Sequence, residues 1–217
     1  MQVPPPVAMV PFEALRRGWD VTKGRLEAFS DGVIAILITI MVLELHAPEG
    51  AGLDDLGPLL PKLLSYVLSF VFLGIYWNNH HHMLHAADRV NGRILWANLH
   101  LLFWLSLIPF TTAWMGENSF QPVPSAAYGV VLLLAAIAYT ILARQIIALH
   151  GPRSRLAAAI GGDRKGKVSV LCYALAIPLA FVHAGLSHCL YVAVALMWLV
   201  PDRRIEGRFD VGTDSAK

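Results

Sequence analysis

The amino-acid sequence predicts an all-α fold, an integral membrane bundle of six transmembrane helices with both termini on the cytoplasmic side. Three observations lead to this prediction. Of the 217 residues, 56% are hydrophobic and only 15% are charged, whereas a soluble domain carries about 25% charged residues. The apolar residues fall into six runs separated by short polar connections. The basic residues are concentrated in alternate connections, as they are in multi-pass membrane proteins.

The six apolar runs are close to the length that a membrane-spanning helix needs, which is roughly 20 residues with a range of about 17 to 25. The predicted helices cover residues 28–45, 58–79, 94–115, 125–149, 168–183 and 186–200. The last two are the shortest. We therefore predict one membrane domain over residues 25–200, between a cytoplasmic segment at 1–24 and a cytoplasmic tail at 201–217.

The orientation follows from the Lys and Arg residues, which stay on the cytoplasmic side when they lie in short loops. In a six-helix arrangement, 16 of the 17 Lys and Arg residues fall on the side of the two termini. Lys62 falls on the other side, where the connections carry mostly acidic residues. A count of five or seven helices would place basic residues on both faces, so the charges support six helices independently of hydropathy.

The first predicted helix carries polar side chains near its cytoplasmic end, in residues 25–31. A carboxylate next to a long apolar stretch is costly in a membrane and indicates a functional or structural partner. At about 100° per residue, Arg25 and Asp31 lie on different faces of the helix and need partners from other helices. The candidate partners at a similar depth are His80, His81 and Asn98. A polar contact that orients the helices is the favoured interpretation of Asp31.

The middle of the same helix contains one apolar line. Ile36, Ile40 and Leu43 are spaced four and three residues apart, and Thr39 supplies the hydroxyl beside them. Asp31 points about 140° away from Ile36, so both side chains cannot face one lumen. Such a line gains a function only when several copies of the helix face one another around an axis.

Five parts of the sequence match one family pattern. They are the Arg25-x-x-x-Phe29-Ser30-Asp31 motif and residues 32–39, 76–81, 98–111 and 201–204. Together they resemble the transmembrane protein 175 potassium channels, and they are distributed over most of the chain. The resemblance implies a prokaryotic single-repeat channel, a homotetramer in the bacterial cell membrane that assembles around a central pore for potassium ions.

The resemblance also implies roles for particular residues. The first helix lines the pore, with Ile36, Ile40 and Leu43 as the hydrophobic filter and Thr39 as the residue whose hydroxyl coordinates the ion. A structural network surrounds the start of this helix, and the three consecutive histidines at 80–82 leave open which one is its partner. Its implied members are Arg25, Phe29, Ser30, Asp31, His80, His81 and Asn98. No resident cofactor, metal or nucleic acid is implied; the partners are the lipid bilayer, potassium ions and further copies of the chain.

Glu44 lies near the predicted outer mouth, where its carboxylate could concentrate cations. A solvated helix end explains this residue equally well.

Two other functions are left open by the sequence. A proton-permeable channel or proton-coupled cation transporter is the first, although no inverted repeat of the kind found in many transporters is evident. A histidine-rich intramembrane metalloenzyme is the second, because His80, His81, His82 and His85 include a pair spaced four residues apart. The other histidines are scattered singly, which argues against a catalytic metal, and we do not expect an enzyme.

Overall fold

The structure is a computed structural model that describes residues 23–48, 50–161 and 163–199. Its elements are the helices α1 (Lys23–Leu43), α2 (Leu60–His85), α3 (Gly92–Ser106), α4 (Ile108–Glu117), α5 (Pro122–His150), α6 (Arg155–Ile160), α7 (Arg164–Val182) and α8 (Ala184–Leu199), with a 3₁₀ helix at Leu53–Leu59. The predicted tail at 201–217 and residues 1–22 of the predicted N-terminal segment lie outside the described residues.

Five stretches of the described chain are long and apolar enough to cross a membrane. They are Lys23–Leu43, Leu53–His85, Gly92–Glu117, Pro122–His150 and Arg164–Val182. The sixth apolar helix, α8, has 16 residues. At 1.5 Å per residue its described part is about 24 Å long, compared with about 30 Å for a typical hydrocarbon core. An all-α membrane bundle is confirmed, with five candidate spans and a shorter sixth helix.

Two predicted helix boundaries were wrong near the candidate site. α1 begins at Lys23 rather than near residue 28, so the polar residues 25–31 are all helical. α2 continues to His85 rather than ending near residue 79, so all the clustered histidines lie on this helix. Hydropathy identifies only the apolar part of a helix. Polar residues at the membrane boundary can continue the backbone hydrogen bonds of the same helix.

The third predicted helix is interrupted rather than continuous. α3 ends at Ser106 and α4 begins at Ile108. Pro109, in the first turn of α4, has no N–H to give to the helical ladder, and its ring excludes the carbonyl of the preceding turn. Leu107 donates its N–H to the carbonyl oxygen of Trp104 at 3.2 Å, a 3₁₀-type bond that closes α3. This span therefore consists of two helical segments.

α5 is the central helix of the bundle and packs against α3, α4, α7 and α8. Small side chains allow membrane helices to approach each other closely. Gly129 of α5 lies against α8, where a Cβ atom would overlap the hydroxyl of Tyr191. That hydroxyl donates a hydrogen bond to the carbonyl oxygen of Ser125 at 2.9 Å. α1 packs mainly on α2, α3 and α4, so it lies at the edge of the subunit and keeps part of its surface open.

Contacts between helix ends bring the basic connections to one end of the bundle. Lys23, at the start of α1, donates to the carbonyl oxygen of His85, at the end of α2, at 3.2 Å. The connection after α2 donates two backbone N–H groups to the imidazole of His150, at the end of α5, at 3.1 and 3.3 Å. At the opposite end, Lys62 pairs with Glu117 at 3.2 Å. The charge pattern thus corresponds to the two ends of the bundle, and the cytoplasmic assignment of the basic end stays a prediction.

Candidate functional site

One face of α1 is buried in the subunit. The buried positions are Leu26, Ser30, Ile34, Leu37 and Met41, spaced three or four residues apart. In a bilayer such a stripe is held by close packing and by polar contacts, because lipid tails are as apolar as Leu. The stripe fixes the rotation of α1 relative to α2, α3 and α4.

The three predicted filter residues lie on the open surface of α1. Ile36 is 57% exposed, Ile40 is 40% exposed and Leu43 is 74% exposed. Their line lies roughly 110° around the helix from the buried stripe and extends about 10 Å along the axis. These side chains are therefore not part of the core that the chain forms by itself.

Thr39 is also exposed, and its hydroxyl has a defined orientation. Oγ1 donates a hydrogen bond to the carbonyl oxygen of Ile36 at 2.8 Å. This bond uses the hydroxyl hydrogen and leaves the oxygen lone pairs free. The side chain consequently offers an acceptor away from the helix backbone, as a ligand for a cation must.

A buried chain of hydrogen bonds joins α1 to α2 and α3. Asn98 Nδ2 donates to Ser30 Oγ at 2.9 Å, and His80 Nε2 lies 2.7 Å from Asn98 Oδ1. Because Asn98 Oδ1 only accepts, His80 must donate through Nε2. Ser30 in turn donates to the carbonyl oxygen of Leu26 at 2.8 Å. The structure thus brings three predicted network residues together and places His80, rather than His81, against Asn98.

Asp31 makes a second contact between α1 and α2. Its Oδ1 accepts a hydrogen bond from Trp77 Nε1 at 3.0 Å. Sequence reasoning missed Trp77 as a site residue, although its position three residues before His80 places both on one face of α2. His81 is exposed and stacks on Trp77 and on His85, with ring centroids 6.0 and 6.1 Å apart. His81 therefore borders this contact without a hydrogen bond to Asp31.

The structure does not bring Arg25, Phe29 or Glu44 into these contacts. All three are exposed, and Arg25 forms no ion pair with any residue in the described ranges. Arg25 and Phe29 lie within about 20° of the Ile36 direction on α1. They face the same side as the predicted filter, and their place in the network stays a prediction.

In the described part of the chain, no three His, Cys, Asp or Glu side chains are grouped closely enough to hold a metal ion. The clustered histidines of α2 do not form such a group either.

Comparison with known proteins identifies the family. The family model described as endosomal/lysosomal potassium channel TMEM175 matches residues 25–109. A protein of Chryseobacterium sp. (strain P1-3) that is named as a potassium channel is 54% identical over 186 residues, which cover 86% of this chain and 97% of that protein. This chain belongs to the TMEM175 family. The predicted resemblance is confirmed.

Two further TMEM175 relatives agree with this assignment. A potassium channel of Streptomyces collinus is 33% identical over 187 residues, covering 81% of this chain and 91% of that protein. The crystal structure of a lysosomal potassium-selective channel TMEM175 homolog from Chamaesiphon minutus aligns with a TM-score of 0.70 at 27% identity, covering 84% of this chain and 97% of that one. The fold is therefore TMEM175-like. Residues 25–109 include α1 from Arg25 onward, α2, α3 and every predicted site residue.

Proposed function

We propose that this protein is a potassium-selective, leak-like cation channel of the cell membrane, a homotetramer whose pore is lined by α1. The observation that carries the proposal is the exposed apolar line of Ile36, Ile40 and Leu43 on a helix that is otherwise anchored in the subunit. Membership of the TMEM175 family supports it, because the relatives from Chryseobacterium and Streptomyces are named as potassium channels.

An assembly is required because one helical face cannot enclose a pore. Copies related by a rotation axis can present the same line to the axis. Four copies would form an apolar tube about 10 Å long, the distance from Ile36 to Leu43 along α1. Such a constriction gates by dewetting, and its selectivity depends on what replaces the hydration shell of the ion. Potassium is more weakly hydrated than sodium, so a narrow apolar tube excludes sodium more strongly.

Thr39 supplies the oxygen that an apolar tube lacks. Its hydroxyl hydrogen is bonded to the Ile36 carbonyl, so its lone pairs are available to a cation. A ring of such hydroxyls would return part of the coordination that the ion loses in the constriction. Glu44, which is exposed beyond the end of α1, would raise the local cation concentration at the outer mouth.

The polar contacts of α1 set the direction of the pore line. Ser30 and Asp31 are bonded to Asn98 and Trp77, on two different neighbouring helices. Because successive residues are about 100° apart, these two bonds fix the rotation of α1. We assign them a positioning role rather than direct contact with the ion.

The experiment that tests this function is ion flux through liposomes that contain the purified protein. We expect potassium to leave the liposomes faster than sodium or protons. The reversal potential of the current should lie close to the equilibrium potential of potassium. Protein-free liposomes control for leakage. Proton flux without potassium flux would support the proton-permeable alternative, and the absence of any flux from correctly assembled protein would reject a channel.

A further inference from the structure

A cavity between α2, α5, α7 and α8 lies apart from α1 and has no part in the proposed pore. Its volume is about 50 Å³, whereas a single buried water needs about 10–15 Å³. The cavity therefore has room for a compact ligand of several heavy atoms. α2 contributes Tyr76 and Asn79 to the wall, next in sequence to Trp77 and His80, which contact α1 and α3.

The chemistry of the wall is dominated by aromatic rings and one carboxylate. The rings belong to Phe72, Tyr76, Tyr139, Tyr173 and Trp198, and the carboxylate belongs to Asp163. Among the described residues that line the cavity, none is Lys or Arg. Aromatic faces carry partial negative charge and attract cations, so both the rings and the carboxylate favour a positively charged ligand.

The wall also indicates which kind of cation fits. A metal ion needs several oxygen ligands to replace its hydration shell, and most of this wall is carbon. A methylated ammonium has a carbon surface and a charge that aromatic rings recognise. Tyr76 and Tyr173 also carry hydroxyl groups that could bond a polar group on the ligand.

Asp163 is held in place by the backbone. Its Oδ1 accepts a hydrogen bond from the N–H of Gly166 at 3.2 Å and so caps α7. Its φ and ψ are 43° and 49°, the left-handed region, which Asp tolerates better than most residues do. The cap uses one carboxylate oxygen, and within the described residues no hydrogen bond to the second one is formed.

A cation from the chain already contacts one wall of the cavity. The ammonium nitrogen of Lys165 lies 5.7 Å from the centroid of the Trp198 ring. This is a cation–π distance, so the Trp198 ring already has a cation partner within the chain, and the Tyr rings and Asp163 are left as the groups that would recognise a ligand cation.

We propose that this cavity binds a small organic cation with a methylated ammonium group. The site is separate from the pore, and the proposal does not depend on ion conduction. Choline is a suitable probe because 3,3-dimethyl-1-butanol has the same shape without the charge.

The test is thermal unfolding of the purified protein in detergent, with increasing concentrations of each compound. A ligand that binds the folded state raises the unfolding temperature in a saturable way. We expect choline to do so and the neutral alcohol to have no saturable effect at the same concentrations. Equal stabilisation by both compounds would overturn the proposal, because it would identify an apolar crevice without charge selectivity.

Variants locate the binding site. Asp163→Asn keeps a side chain that caps helices well but removes the charge, so we expect the apparent choline affinity to fall about tenfold. Asp54→Asn, exposed in the 3₁₀ helix Leu53–Leu59, is the matched control and should leave the affinity unchanged. Wild-type affinity in Asp163→Asn would place the bound cation elsewhere, for example in the pore, and would overturn the proposal.

The aromatic contribution is tested at Tyr139. Tyr139→Phe keeps the ring and should retain binding, whereas Tyr139→Leu should lose most of it. Equal binding by both variants would contradict a cation–π role for this ring. Nanodiscs of phosphatidylcholine or phosphatidylglycerol then distinguish the two sources of the methylated ammonium group. Choline binding that is weaker only in phosphatidylcholine would identify a lipid headgroup as the occupant of the cavity. Equal choline binding in both lipids would identify a free ammonium compound.

Discussion

Replacing Ile36 with Asn is expected to raise the potassium conductance about tenfold and to reduce selectivity over sodium. In the proposed tetramer this change puts four amide groups into an apolar constriction. The amides replace part of the hydration that an ion loses there, and a tenfold change in rate corresponds to about 1.4 kcal/mol of barrier. A polar ring also opposes dewetting of the constriction. Single-channel recording in planar bilayers measures both quantities.

Val42→Asn is the matched control for this experiment. Val42 is 45% exposed on α1, but it lies about 120° around the helix from Ile36. We expect its conductance to remain close to that of the wild type. If Ile36→Asn also behaved as the wild type, Ile36 would have no place in the constriction.

Replacing Thr39 with Val is expected to lower the potassium-over-sodium selectivity about fivefold. The two side chains have nearly the same shape, so the change removes the hydroxyl oxygen and little else. The fivefold factor corresponds to a change of about 1 kcal/mol in the difference between the free-energy barriers for potassium and sodium at this ring. The hydroxyl bonds only to its own helix within the described residues, so the fold should be preserved. The reversal potential under mixed potassium and sodium gradients gives the result.

Thr140→Val provides a comparison with the same local chemistry. Thr140 Oγ1 donates to the carbonyl oxygen of Ala136 at 2.9 Å, a helical bond like that of Thr39, but on α5. We expect unchanged selectivity in this variant. A reversal potential that shifts equally in both variants would assign the effect to helix geometry, and no shift in Thr39→Val would remove Thr39 from ion coordination.

The features that follow from local sequence could be predicted well. A membrane helix needs a long apolar run, and the Lys and Arg distribution is a separate signal, so the positions and order of the apolar runs follow from residue type alone. The Ile36, Ile40 and Leu43 line could be recognised from helical periodicity. Its exposure in the subunit is consistent with that prediction, and its position on the pore axis stays a proposal.

The features that depend on neighbours could not be predicted from the sequence. His80 and His81 differ by about 100° on α2, and only the rotation of α2 against α3 places His80 beside Asn98. The partner of Asp31, Trp77, depends on the same rotation.

Helix boundaries were missed for a different reason. Pro109 interrupts the third span although the apolar run continues through it. α2 extends to His85, through polar residues that hydropathy excludes. Apolar length and helical length are set by different interactions, the first by the lipid and the second by the backbone ladder.

The central claim is that copies of α1 present Ile40 and its neighbours to a common axis, and cadmium block of cysteine variants tests it most directly. Cadmium binds soft thiolate ligands, and a ring of cysteines in a narrow pore would hold it across the ion path. The cysteine variants are made in a parent protein in which Cys172 and Cys189 are replaced by Ala. This parent protein, measured by itself, controls for any block that comes from cadmium bound at native histidines. We predict that cadmium blocks potassium flux in Ile40→Cys and leaves Val42→Cys and the parent unaffected. Block of Val42→Cys without block of Ile40→Cys would contradict the account, because the predicted filter would then face away from the pore.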